Sequence, residues 1–216
     1  MNLFRAFLLA FAVAGPAAAE TVSVDGGSVQ VDRMVAGLQQ PWAIAFLPEG
    51  GLLITERDGR LLNVQGGQSR EVAGVPRVVD EGQGGLLDVV LARDFATTRT
   101  LFLSYSAPIG RGAGTALASA TLSPDGAALS NVRVLFQMER GSGAGQHFGS
   151  RIVEAPDGTL FLTIGDRGDR NRAQDADRYN GKVVRINRDG SIPSDNPIAM
   201  TDGPYGGQGT AIRKRV

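Results

Sequence analysis

Three segments of this chain repeat one grammar, and that repeat limits the fold more than any other feature. "FLPEGGLLITERDGRLLNV", "LARDFATTRTLFLSYSA" and "EAPDGTLFLTIGDRG" each carry an apolar run, a turn and a strand reading "LLIT", "LFLS" or "LFLT". The latter strands begin at Leu52, Leu101 and Leu160, a period of about fifty residues. Each unit adds further strand-like text: "RLLNVQGG" and "SREVAGVPRVV", then "GTALASATLSPDG" and "NVRVLFQM", then "GKVVRINRDG". Four short strands per unit at this period predict β-propeller blades, about three of them, in an all-β fold. Asp58-Gly59, Asp125-Gly126, Asp157-Gly158 and Asp189-Gly190 supply the positive φ that tight connections need. The opening strands "WAIAFL", "GGLLDVVLA" and "SRIVEA" carry the small or apolar residues suited to a crowded central axis. A β-sandwich is the structural alternative.

Three blades do not close a ring, because the first and last sheets each keep a bare side. After Asn196 the text turns to "PIAMTDGPYGGQGTAIRKRV", glycine-rich and without a strand pattern. The expected organisation is therefore a signal peptide over 1–19, a partial propeller over 20–198 and an irregular tail over 199–216, as from a truncated or frame-disrupted chain. The signal reading rests on Arg5, an apolar run from Ala6 to Ala14 and the small-residue ending before Glu20. The run falls short of the about 20 residues that span a bilayer, so export to the periplasm or outside is expected, with no membrane anchor.

Composition removes whole classes of chemistry. No cysteine is present, which excludes disulfides, thiolate nucleophiles and cysteine-ligated zinc, and a single histidine excludes a multi-histidine metal site. Formal net charge is +0 and the arginines are scattered, so no nucleic-acid footprint exists.

The lone histidine, His147, directly precedes the first strand of the third unit, and Gln83 holds the matching place before the second. Loops entering the innermost strands ring one mouth of a propeller's channel, so these two side chains are expected to converge there. Asp166 ends the adjacent strand behind a glycine that permits close approach. The plain alternatives are a solvated imidazole, a turn-capping Gln83 and a solvated turn in "GDRGDR". The aspartates of "DRGDRNRAQDAD" loosely suggest a calcium loop, but their spacing is not that of an EF-hand and arginines intervene. Gly82, Gly84 and Gly85 resemble a phosphate loop only superficially, without a following helix or a lysine.

"PWAIAFLPEG", "GQGGLLDVVLARDF", "LFLSYS", "GQHFGSRIV", "LFLTIGDRG" and "GKVVRINRDGSIPSDNP" stand in order along nearly the whole mature chain. Together they resemble the soluble quinoprotein aldose sugar dehydrogenases and the related glucose dehydrogenases. The resemblance implies the first half of a six-bladed propeller. It implies oxidation of the anomeric carbon of an aldose by hydride transfer to pyrroloquinoline quinone, with an external electron acceptor. His147, in the family's H-x-G-x-R element with Gly149 and Arg151, becomes the catalytic base; Gln83 contacts cofactor and substrate, and Asp166 borders the sugar pocket.

The departures are specific. The family's "GHRNPQG"-like segment is replaced here by "YGGQGTAIRKRV". The carbonyl ligands of the quinone-bridging calcium and the Lys and Arg for the quinone carboxylates have no counterpart, so no metal ligand is assigned. Gln146 stands where glucose-oxidising relatives carry Asp, and Lys182 is expected within a strand. Lost charge-assisted contacts of about 1.5–3 kcal/mol each imply a much weakened cofactor site and impaired activity. The alternative is a non-enzymatic module binding sugar or protein, including a homodimer of half-rings covering each other's bare sheets. A calcium-dependent propeller lactonase is disfavoured, since its carboxylate-rich centre has no counterpart.

Overall fold

The computed structural model describes residues 20–196 and 210–212, the last three by their backbone. The expected signal segment lies outside them. The described chain divides into two compact units, meeting between Ala36 and Gly37.

The first unit is a hairpin of β1 (Glu20–Val24) and β2 (Gly27–Val31), in register Val22↔Val29 and exposed throughout. Its turn passes through Gly26 at φ 87, a left-handed backbone that suits glycine. The second compact unit begins at Gly37.

The second unit holds three four-stranded sheets, each an antiparallel meander in chain order. The first is β3 (Pro41–Phe46), β4 (Leu52–Glu56), β5 (Leu61–Gln65) and β6 (Gln68–Glu71). The second is β7 (Leu86–Leu91), a single helical turn α1 (Phe95–Thr98), β8 (Thr100–Ile109), β9 (Gly112–Leu122) and β10 (Leu129–Gln137). The third is β11 (Ile152–Glu154), β12 (Leu160–Thr163), β13 (Val183–Ile186) and β14 (Thr210–Ile212). The opening strands β3, β7 and β11 neighbour one another in turn. These are three successive propeller blades, and the sandwich alternative is set aside. β14 corrects the tail expected to be irregular: its register, Arg185↔Thr210 to Val183↔Ile212, pairs backbone groups that would otherwise line a bare edge of β13.

Burial explains why the motif strands are continuous apolar runs. β8 is sandwiched between blades, so Leu101, Leu103 and Tyr105 join Ala43, Leu53, Leu61 and Val89 in one core. Phe102, on its other face, joins Leu117, Phe136, Ile152, Leu160, Leu162 and Ile186 in the second. Removing a buried side chain such as Phe102 costs about 3–5 kcal/mol.

The last letter of each motif is a hydroxyl, and its use repeats. Thr55 Oγ1 accepts the Ala43 N–H (3.0 Å) of its own inner strand and donates to Leu87 O (2.6 Å) of the next blade. Ser104 Oγ likewise accepts the Asp88 N–H (3.0 Å) and donates to Ser150 O (2.6 Å). Thr163 Oγ1 accepts the Arg151 N–H (3.0 Å). The Ala43 and Asp88 groups fall at ladder irregularities in β3 and β7, where a backbone donor loses its strand partner. The hydroxyl replaces that partner and ties one blade to the next.

Candidate active site

Three segments meet at one mouth: the loop entering β7, the loop entering β11, and the segment leaving β12. The first two approach through glycines. The Gln83 N–H donates to Gly145 O (2.6 Å), and a Cβ on Gly82 (φ 60) would stand 2.1 Å from that same oxygen. The third approaches the second through Gly165, where a Cβ would lie 2.0 Å from His147 O. The expectation that this glycine allows close approach is met, with backbone as the approaching group.

The three site residues singled out in the sequence come together here. The His147 backbone N–H donates to Gln83 Oε1 (2.8 Å), and His147 Nδ1 lies 2.7 Å from Asp166 Oδ1. Asp166 Oδ1 also accepts the Gly168 N–H (2.8 Å), while Asn180 Nδ2 donates to Asp166 O (2.8 Å). The His147 hydrogen bond, then that of Gly168, hold the Asp166 carboxyl below the usual carboxylate range. An ionised carboxylate only accepts, so the neutral imidazole carries its proton on Nδ1 and presents a lone pair at Nε2. Nε2 has no partner among the described residues, and the His147 side chain is 51% exposed. The arrangement suits accepting a proton from an incoming hydroxyl.

Three further residues build the mouth without having been singled out. Arg57, just after β4, donates through Nε to Gly84 O (3.0 Å) and pairs with Asp80 (2.9 Å), steadying the Gln83 loop from the first blade. Asp88, 1% exposed, accepts from Arg151 Nη1 (2.7 Å) and from the Ile152 N–H (2.8 Å), pinning the third blade's inner strand to the second. Burial, outweighing these contacts, raises its pKa. Arg167, beside Asp166, donates to the carbonyls of Gln146 and Ala144. Only neighbours across blades reveal these roles, so the linear pattern held no signal for Arg57 or Arg167. A buried polar residue within "LLDVV" was the available hint for Asp88.

Arg151 also lines a groove of about 340 Å³ with Leu38, Pro41, Trp42 and Ile44. Of the four aspartates weighed as a calcium loop, Asp169 pairs with Arg172 (2.8 Å), Asp175 with Arg178 (3.7 Å) and Asp166 with His147. No group of three or more metal-holding side chains gathers among the described residues. Gly84 and Gly85 serve close packing: Cβ atoms there would meet Val79 O at 2.7 Å and Arg57 O at 1.9 Å. Lys182, expected within a strand, sits one residue ahead of β13, buried, with Nζ donating to Ala173 O (3.0 Å) and Asn180 O (2.8 Å).

Residues 38–205 match the family model described as glucose/sorbosone dehydrogenase. The aldose sugar dehydrogenase YliI of Escherichia coli (strain K12) is 44% identical over 180 residues, covering 82% of this chain and 48% of that protein. Quinoprotein glucose dehydrogenase B of Acinetobacter calcoaceticus is 28% identical over 192 residues, covering 76% of this chain and 40% of that protein. The apo-form crystal structure of the E. coli soluble aldose sugar dehydrogenase superposes with TM-score 0.71 at 45% identity, over 74% of this chain and 47% of that one. A PQQ-bound aldose sugar dehydrogenase from Streptomyces coelicolor superposes with TM-score 0.70 at 25% identity, over 90% and 55%. The chain spans about half the length of the curated relatives it matches.

Proposed function

Since the chain belongs to the glucose/sorbosone dehydrogenase family, we propose that its mouth is the base-bearing part of a site oxidising the anomeric carbon of an aldose. His147 Nε2 takes the anomeric hydroxyl proton. Asp166 keeps the Nδ1 proton in place and stabilises the imidazolium that forms, as a carboxylate behind a catalytic imidazole does. Gln83 fixes the height of the imidazole through its backbone bond and leaves its exposed amide free to donate to a bound ligand. The observation that carries this reading is the 2.7 Å His147–Asp166 contact with Nε2 open.

Pyrroloquinoline quinone is proposed as cofactor, and the chemistry it supplies when bound is acceptance of the C1 hydride, both electrons included. Of the residues present, the Gln83 amide supplies a donor that fits its carbonyl end, and the open lone pair of His147 is left for the substrate's hydroxyl proton. Its carboxylates call for cations, and Arg57 and Arg151 are tied to Asp80 and Asp88. Calcium is proposed from the resemblance alone, its main family ligands having no counterpart in this chain. The proposed setting is the periplasm or exterior, with an external electron acceptor. No helix among the described residues is long and apolar enough to cross a membrane.

The test is dye reduction by the purified chain with calcium, quinone and a panel of aldoses. Turnover that falls about 10²–10⁴-fold in His147→Asn supports the reading; turnover indifferent to His147 refutes it. A second reading, a non-enzymatic module or half-ring homodimer, is favoured by the apolar row of Trp42, Ile44 and Phe46, 43%, 50% and 73% exposed along β3. A soluble dimer that binds sugar or protein without turnover would establish it.

A further inference from the structure

A general base works only if its ring is held at one height and rotation, and His147 lies in a loop that does not hold itself. His147 and Ser150 have φ of 55 and 87, left-handed values that side-chain-bearing residues seldom adopt. An outside constraint is needed.

We propose that Arg167 is the positioning residue for His147, its guanidinium gripping the loop backbone while the adjacent Asp166 carboxylate grips the ring. The inference rests on the reading of His147 as base. Arg167 donates to the carbonyls of Ala144 and Gln146, and to Ala113 O (3.3 Å) on β9. Its guanidinium carbon lies 3.4 Å from the centre of the Phe148 ring. Residues 144, 146 and 148 are thus bound by one side chain, and residue 147 by the side chain next to it in sequence. The Ala113 bond anchors the clamp in the second blade, so the third blade's loop cannot drift from the Gln83 mouth.

The charge state singles Arg167 out. It is 2% exposed and pairs with no carboxylate among the described residues, and burial pushes its pKa down to about 10. A buried cation without a counter-ion is costly unless dipoles and an aromatic face compensate, and here the loop's own carbonyls and Phe148 do so. Loop and guanidinium therefore order each other. A planar fork reaches two carbonyls of one loop together, which a lysine ammonium does not reproduce. Arg167 also borders a cleft of about 290 Å³ with Arg140, Arg172 and Arg178, but both of its terminal nitrogens donate to carbonyls of the loop and of β9, and its buried Nε makes no hydrogen bond.

Because the chain has one histidine, ¹⁵N-histidine NMR reads His147 without ambiguity. At pH 9 the wild-type full chain is expected in the Nδ1–H form. In Arg167→Met, Nδ1–H should become the minor form with the sheet circular dichroism retained; Arg167→Lys should fall between. A loss of thermal stability alone would not move this readout. If Arg167→Met does not fold, Arg167→Lys decides by the same criterion. Nδ1–H in the wild type and unchanged in the folded variant overturns the clamp. A wild type already in the Nε2–H form instead sinks the reading of His147 as base.

Discussion

Replacing Ser104 by alanine removes one oxygen that serves two backbones. Its hydroxyl is fully buried, accepts the Asp88 N–H at 3.0 Å and donates to Ser150 O at 2.6 Å. The Asp88 group lies where the β7–β8 register shifts between Leu86 and Val89, so no strand partner takes the hydroxyl's place. Each backbone group left buried and unpaired costs about 1–3 kcal/mol, and partial relaxation brings the pair to about 2–4 kcal/mol. Against a total stability of about 5–15 kcal/mol this is a large share. Thr163→Val is the internal comparison: only the exposed Arg151 N–H loses its partner and water can replace it, so the loss should stay below about 1 kcal/mol. Urea unfolding followed by tryptophan fluorescence and circular dichroism reads both variants. A Ser104→Ala midpoint within about 0.5 kcal/mol of wild type at unchanged m-value, or a larger loss in Thr163→Val, would refute the inter-blade hydroxyl argument.

The two site carboxylates should titrate stability in opposite senses. Asp166, with a lowered pKa, contributes stability that is present above the ordinary carboxylate range and lost as pH falls through its folded value. Asp88, with a raised pKa, contributes stability present below that range and lost as pH rises through its folded value. Comparing urea midpoints of Asp166→Asn and Asp88→Asn with wild type from pH 3 to 8 checks both signs. Gly165→Ala places a methyl 2.0 Å from His147 O, so it should displace the imidazole and change its NMR tautomer while leaving the blades folded. Asp166→Asn should lower any turnover about 10²–10⁴-fold by loosening the Nδ1–H form, measured by dye reduction.

The spacing of Leu52, Leu101 and Leu160 made the blades legible, because a short continuous apolar run bounded by turn residues is a local property that each unit states for itself. His147, Gln83 and Asp166 were legible for a related reason: each holds a fixed place relative to a repeat, so knowing that the units fan around an axis brings them to one mouth. Their 2.7 and 2.8 Å contacts, and the tautomer these impose, are decided by packing between blades. Arg57, Asp88 and Arg167 stayed hidden because each acts on residues tens of positions away, and an arginine in a turn reads alike whether it is solvated or clamps a neighbouring loop. The strand at 210–212 was missed because its text is glycine-rich, and only the open edge of β13 gives that stretch a partner. Local chemistry and period determine which strands form and where they turn; which buried donor meets which acceptor depends on how neighbouring sheets close on one another, where the low dielectric makes every unpaired group costly.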